Sequence, residues 1–164
     1  MEKQSIYSWK SNLLGNKSKL YNNDTMIGTL ESNDWTLDAN VFIHSDQYSF
    51  KNKGLFTPYT EIRNKYGELI GDIEYNNWTG GATISFIDKK YKWSPRNMWM
   101  SAWKIANEQG QIAEITPSAM GNGGTIESVE NNELLLSISL YLQKRTVIMY
   151  SMLAIIPAFA IFLF

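Results

Sequence analysis

The chain of 164 residues has no cysteine, one histidine (His44) and four prolines. Without thiols it has no disulfide scaffold, no thiolate metal site and no cysteine nucleophile. A lone imidazole leaves a histidine-rich zinc site or a histidine-based triad without its usual parts. Charge of one sign is missing too. Fifteen Lys and Arg stand against sixteen Asp and Glu, a net charge of -1, and the pI is about 5.8. A nucleic-acid binder draws its affinity from a basic surface, so nucleic acid is not expected as a partner. The first ten residues, MEKQSIYSWK, hold no apolar run of the kind a secretory leader needs, and a cytoplasmic location is the expectation.

What is present suits a packed domain: 44% hydrophobic and 13% aromatic residues in a length that accommodates one core. Short runs alternate between apolar and polar positions. Trp35, Leu37, Ala39, Val41 and Ile43 occupy every second place, as do Ala82, Ile84 and Phe86, and as do Leu134, Leu136, Ile138, Leu140 and Leu142. Period two is the mark of a strand with one buried face, so all three are expected strands. No helical stripe of ten residues or more stands out before Thr146.

A repeat supports β structure. Glu61–Ile73, EIRNKYGELIGDI, is echoed by Lys104–Ile115, KIANEQGQIAEI, and more faintly by Leu20–Leu30, LYNNDTMIGTL. Each reads as a hairpin, with Gly67 and Gly110 supplying the positive φ of a tight turn. Repeated hairpins without a linker point to one all-β domain over residues 1–164, a barrel or a sandwich.

The end of the chain is different. Thr146 to Phe164, TVIMYSMLAIIPAFAIFLF, is nineteen uncharged residues preceded by Lys144 and Arg145. As a helix it would be about 28 Å long, enough for a membrane span, with the basic pair holding the body on the cytoplasmic side. A helix apolar all round is equally what fills a closed β structure. Both readings stand at this point.

The segments YNNWTGGATISF (75–86), KYKW (90–93), NMWMSAWKI (97–105), GGTIE (123–127) and NELLLSISLYL (132–142) together resemble bacterial tubby C-terminal-like domains, relatives of tubby, LURP-one-related and phospholipid scramblase proteins. The resemblance covers about residues 35–164. It implies a mainly β fold, a closed antiparallel barrel of about twelve strands around a hydrophobic C-terminal helix, with 146–164 as that helix. It also implies a non-catalytic module that binds anionic lipid headgroups or a protein partner.

Among candidate sites, Lys89, Lys90, Lys92 and Arg96 interleave with Tyr91 and Trp93, a mix of cations and amphipathic rings that suits an anionic phospholipid headgroup. The same residues read equally as a solvated hairpin whose lysines guard a sheet edge. Lys144 and Arg145 are either lipid contacts or a charged rim where a strand turns into the central helix. The six tryptophans (Trp9, Trp35, Trp78, Trp93, Trp99, Trp103) are expected in the core, with Trp99, Ser101, Trp103 and Ile105 along one strand face. His44, Ser45 and Asp46 are neighbours whose side chains diverge along a strand, so no triad is expected. Glu61, Glu68, Asp72 and Glu74 lack calcium-loop spacing, and Gly121–Gly124 is a turn without the lysine and helix of a phosphate loop. No enzyme activity, metal or cofactor is expected, and the protein partner is not identified.

Overall fold

A computed structural model describes residues 4–54 and 58–161, with side chains through Ser151. Twelve strands follow one another: β1 Ser5–Ser11, β2 Lys17–Asn22, β3 Thr25–Ser32, β4 Ala39–Ile43, β5 Asp46–Lys53, β6 Tyr59–Arg63, β7 Leu69–Asn76, β8 Gly81–Phe86, β9 Lys89–Pro95, β10 Trp103–Asn107, β11 Gly110–Pro117 and β12 Gly123–Ser128. Each pairs antiparallel with its neighbour in sequence, and β1 pairs with β12, so the sheet closes into a barrel with no open edge. A single helix, α1 Glu133–Ile161, ends the chain.

The alternating pattern is realised as side chains in and side chains out. In β4, Ala39, Val41 and Ile43 are buried while Asn40 and Phe42 face outward; in β8, Ala82, Ile84 and Phe86 point inward. The three repeat copies are hairpins: β6–β7, β10–β11 and β2–β3. All three slip register at the same place in the repeat, after Ile62, Ile105 and Leu20, so the likeness extends to a shared bulge. Gly67 and Gly110 have φ of 80° and 130° in the first two turns, and Asn23, with φ 52°, serves the third.

The closed sheet encloses an apolar lumen that only another element can fill. That element is the first half of α1. Leu134 to Leu142 are buried without a break, on every side of the helix. Two expectations are corrected here. The run Leu134–Leu142 is helix, not strand, and the helix begins thirteen residues before Thr146. Period two was misleading because a helix surrounded by a barrel has no polar face, so the serines between the leucines carry no information about sidedness. Ser137 and Ser139 are buried and donate to the carbonyls of Glu133 and Leu136 within the helix. The usable signal was the cap. The Asn132 side chain accepts from the backbone N–H of Leu135 at 3.1 Å, and Glu133 lies in the first turn, where a carboxylate complements the helix dipole.

Third, the described start of the segment 146–164 is not enclosed as axial core: Val147, Met149, Tyr150 and Ser151 are exposed, and the side chains from Met152 onward lie outside the described residues. Fourth, Trp35 and Leu37 precede β4 in a loop, and Trp99 and Ser101 lie in the loop before β10, so the alternation there does not mark strand.

Two expected outcomes follow. Ile138 is fully buried at the barrel axis, and Ile138→Ala should cost about 2–5 kcal/mol by leaving a cavity, read as a lower urea midpoint. In the β8–β9 turn, Ile87 and Asp88 both take positive φ (51° and 55°), which a β-branched side chain resists. Replacing the pair with Asn-Gly, which this turn favours, should raise stability by about 0.5–2 kcal/mol.

Candidate functional site

With twelve antiparallel strands in sequence order, alternate loops fall at opposite ends of the barrel. The chain leaves β12 at the lower rim, where α1 begins, and the helix climbs the lumen to emerge at the upper rim. Contacts agree: His44, in the β4–β5 turn, meets Glu133 at 2.7 Å below, whereas Lys144 meets Asp34 at 3.1 Å above.

The predicted cation–aromatic cluster does not form on one surface. In β9, Lys89, Lys90 and Lys92 are exposed, but Tyr91 and Trp93 point into the barrel and are buried. They pack there on Phe86 and Trp103, with ring centroids 5.5 and 5.8 Å apart. The pleat puts neighbouring residues on opposite sides of the wall, so the rings cannot flank a ligand held by the lysines. Outside, Lys90 lies across from Ser85 and then Asp72, and Lys92 across from Thr83 and then Glu74. Arg96 pairs with Glu114. Lys90 and Lys92 are thus interspersed with acids on the barrel's side wall, while Arg96 lies just past β9 in the loop before β10. Edge protection is excluded as well, because β9 is paired on both sides.

Lys144 and Arg145 lie within α1 at the upper rim, not at a turn from strand to helix. Lys144 donates to the Gly15 carbonyl and the Ser32 hydroxyl, and its third partner is Asp34. Arg145, 8% exposed, lies with its guanidinium 4.0 Å from the centre of the Tyr75 ring and donates to the Asn52 side-chain oxygen at 3.2 Å. Under the ring, Tyr75 and Tyr141 share Thr60: its hydroxyl is 2.5 Å from that of Tyr75 and 3.1 Å from that of Tyr141. Tyr141 also donates to the Leu37 carbonyl at 2.8 Å. These bonds tie α1 to strands and loops at one height, which an apolar lumen alone would not do. Burial raises the Tyr75 phenol well above its usual value, the neighbouring Tyr141 adds to the rise, and the Arg145 charge opposes it.

Clefts flank the emerging helix. One, of about 250 Å³, is lined by residues that include Tyr75, Asn76, Trp93, Arg145 and Met149; another, of about 310 Å³, lies against Leu13, Asp34, Met120 and Val147. The indole N–H groups of Trp93 and Trp103 find no acceptor among the described residues.

The tryptophans divide in a way the sequence did not disclose. Trp9, Trp93 and Trp103 are core, as expected, while Trp35, Trp78 and Trp99 are 93%, 99% and 88% exposed. All three exposed rings sit in upper-rim loops, between β3 and β4, β7 and β8, and β9 and β10. Leu13 and Leu14, Met98, and Met120 project from upper-rim loops too. Exposed Tyr66 and Ile87 occupy lower-rim turns, but no tryptophan does. A signal was available: Asn33, Asn76 and Asn97 each open one of these loops and cap it with a side-chain oxygen, a mark of turn rather than strand.

The His44–Ser45–Asp46 group does not converge. His44 faces Glu133 and Asp46 accepts from Lys65 at 2.9 Å. Among the described residues no helix is long and apolar enough to cross a membrane. No protein-family model, curated protein or solved structure matches the chain.

The raised Tyr75 phenol carries a sign. Above about pH 10 the unfolded phenol ionises and the folded one does not, so the unfolded state gains and stability is lost as pH rises. The urea midpoint of the wild type should therefore fall more between pH 9 and 11 than that of Tyr75→Phe. Equal falls would refute the buried phenol.

Proposed function

We propose that the protein is a non-catalytic, membrane-associated module whose upper rim rests on a lipid bilayer while the apolar residues that continue α1 enter it. The observation that carries this reading is a coincidence of place: every exposed tryptophan lies on the rim from which the apolar helix emerges. Water-exposed indoles with Leu and Met on neighbouring loop tips are costly on a free surface and suit the interfacial zone of a bilayer. Val147, Met149 and Tyr150 begin the emergent helix, and the sequence carries no charge from there to Phe164. The absence of a spanning helix among the described residues does not bear on Met152–Phe164, which lie beyond the side chains described.

The reading differs from the one that rests on Lys89, Lys90, Lys92 and Arg96. Lys89, Lys90 and Lys92 stand on the side wall and Arg96 is paired with Glu114, whereas the projecting loop tips of the rim are apolar and aromatic. Lipid attachment is therefore hydrophobic in origin and depends little on salt. The likeness to tubby C-terminal-like domains is part of the same proposal. The closed twelve-stranded barrel with a helix in its lumen supports it, since that is the arrangement the resemblance implies. A cytoplasmic body, held there by Lys144 and Arg145 under the positive-inside rule, is likewise proposed.

Vesicle reconstitution of the full chain tests the docking. In vesicles containing brominated phosphatidylcholine, Trp35, Trp78 and Trp99 should be quenched by the lipid and shielded from aqueous iodide. Changing all three to Phe should remove most of the bromine quenching, while Lys89, Lys90, Lys92 and Arg96 changed to Ser should leave it intact. A soluble chain whose exposed indoles stay open to iodide in the presence of vesicles would refute membrane docking and favour a protein partner at this rim.

A further inference from the structure

Two cations follow one another on α1 at the upper rim, and their surroundings differ. Lys144 is caged by a carboxylate, a carbonyl and a hydroxyl. Arg145 is buried more deeply than nine parts in ten, yet among the described residues it has no carboxylate partner. It has one neutral acceptor, the Asn52 amide oxygen, and the face of the Tyr75 ring. A guanidinium has five N–H donors, and withdrawing it from water is expensive unless an anion or a full set of acceptors replaces the water. Arg145 lines the cavity of about 250 Å³ beside the helix, and so does Trp93, whose indole N–H has no acceptor among the described residues. Arg145, whose one side-chain acceptor is neutral, thus borders a hollow that Trp93, Asn76, Asn77 and the apolar Met149 also line.

We propose that this cavity receives an oxyanion, a phosphate or a carboxylate, bound by the guanidinium of Arg145. A planar fork of N–H groups matches two anionic oxygens at once, and with a guanidinium as buried as that of Arg145 the pairing is stronger than between fully exposed groups. The volume lies just below the range of about 300–1,000 Å³ usual for ligand pockets, so it admits a headgroup or a short acid and not a whole lipid. That the oxyanion is borne by a lipid rests on the membrane docking proposed above. That it is an oxyanion rests on the cavity and its cation alone.

The test reads the cavity directly. Full-length protein, ¹⁵N-labelled at the tryptophan indoles in uncharged maltoside micelles, is titrated with dihexanoyl phosphatidic acid, with inorganic phosphate and with hexyl maltoside. The Trp93 indole resonance is assigned by Trp93→Phe. It should move and saturate with dihexanoyl phosphatidic acid, and Arg145→Gln should weaken the apparent affinity at least about tenfold, with Arg145→Lys between the two. Saturation at the same concentration by inorganic phosphate would support the oxyanion site and assign it to a soluble anion, whatever the vesicle experiment shows. A Trp93 resonance that ignores both anions, or that responds equally to uncharged hexyl maltoside, would overturn the proposal. Because the wild-type titration alone decides this, poor folding of an Arg145 variant would not shield it. Failure here with intact bromine quenching would leave the docking in place, and the reverse pattern would leave the anion site in place.

Discussion

Closing a twelve-stranded sheet on itself removes every edge and at the same time creates an apolar lumen that cannot be left empty. Large dry voids forfeit the packing contacts on which a core depends. Everything else in this molecule follows from how that lumen is filled. Helix α1 contributes nine successive buried residues from Leu134 to Leu142, so barrel and helix are one core: neither the inward faces of the strands nor the helix has another surface on which to pack. The helix also inherits a direction. It must start where β12 ends and leave at the opposite rim, and this topology delivers the remaining apolar residues to one particular face.

The upper rim manages the change from a dry interior to the surroundings with a collar of polar groups. Tyr141, Thr60 and Tyr75 hydrogen-bond within the barrel mouth, Arg145 stacks above them, and Lys144 is clamped by Gly15 in the β1–β2 loop, Ser32 at the end of β3 and Asp34 in the β3–β4 loop. Apolar packing is tolerant of sliding along an axis; directional bonds are not. The collar fixes the height at which the helix stops being core. Above it the apolar loop tips and the emergent helix share one surface, while the side wall outside β7 to β11 carries opposite charges set among one another. The molecule therefore has a chemically distinct end rather than a chemically distinct side, and the membrane reading and the oxyanion reading both arise at that end.

Much of the architecture was legible from period-two alternation and the hairpin repeat, because strand pleating and turn geometry are local. The repeat proved informative beyond expectation, since its three copies share a bulge as well as a turn. The helix was misread for a physical reason. Sequence patterns report sidedness, and an element enclosed on all sides has none, so Leu134–Leu142 mimicked a strand and only Asn132 and Glu133 marked its start. The candidate site suffered in the opposite way. Lys89 to Trp93 looked like one surface because its cations and rings are adjacent in sequence, yet adjacency along a strand is separation across a wall.

Composition and local pattern alone indicate a mainly β fold and hairpin turns at Gly67 and Gly110, exclude thiol chemistry, and show an uncharged run from Thr146 onward. These depend on composition and on contacts between near neighbours. Which tryptophans are core and which project, that Leu134–Leu142 is the enclosed stretch of the helix, and that Arg145 lies beside a cavity with no carboxylate partner among the described residues emerge only when the chain is folded. Each of these is set by the parity of strands around a closed barrel and by where a helix leaves it. Such long-range geometry brings Asn52, Tyr75 and Arg145 together across 93 residues of chain and leaves no trace in any local pattern.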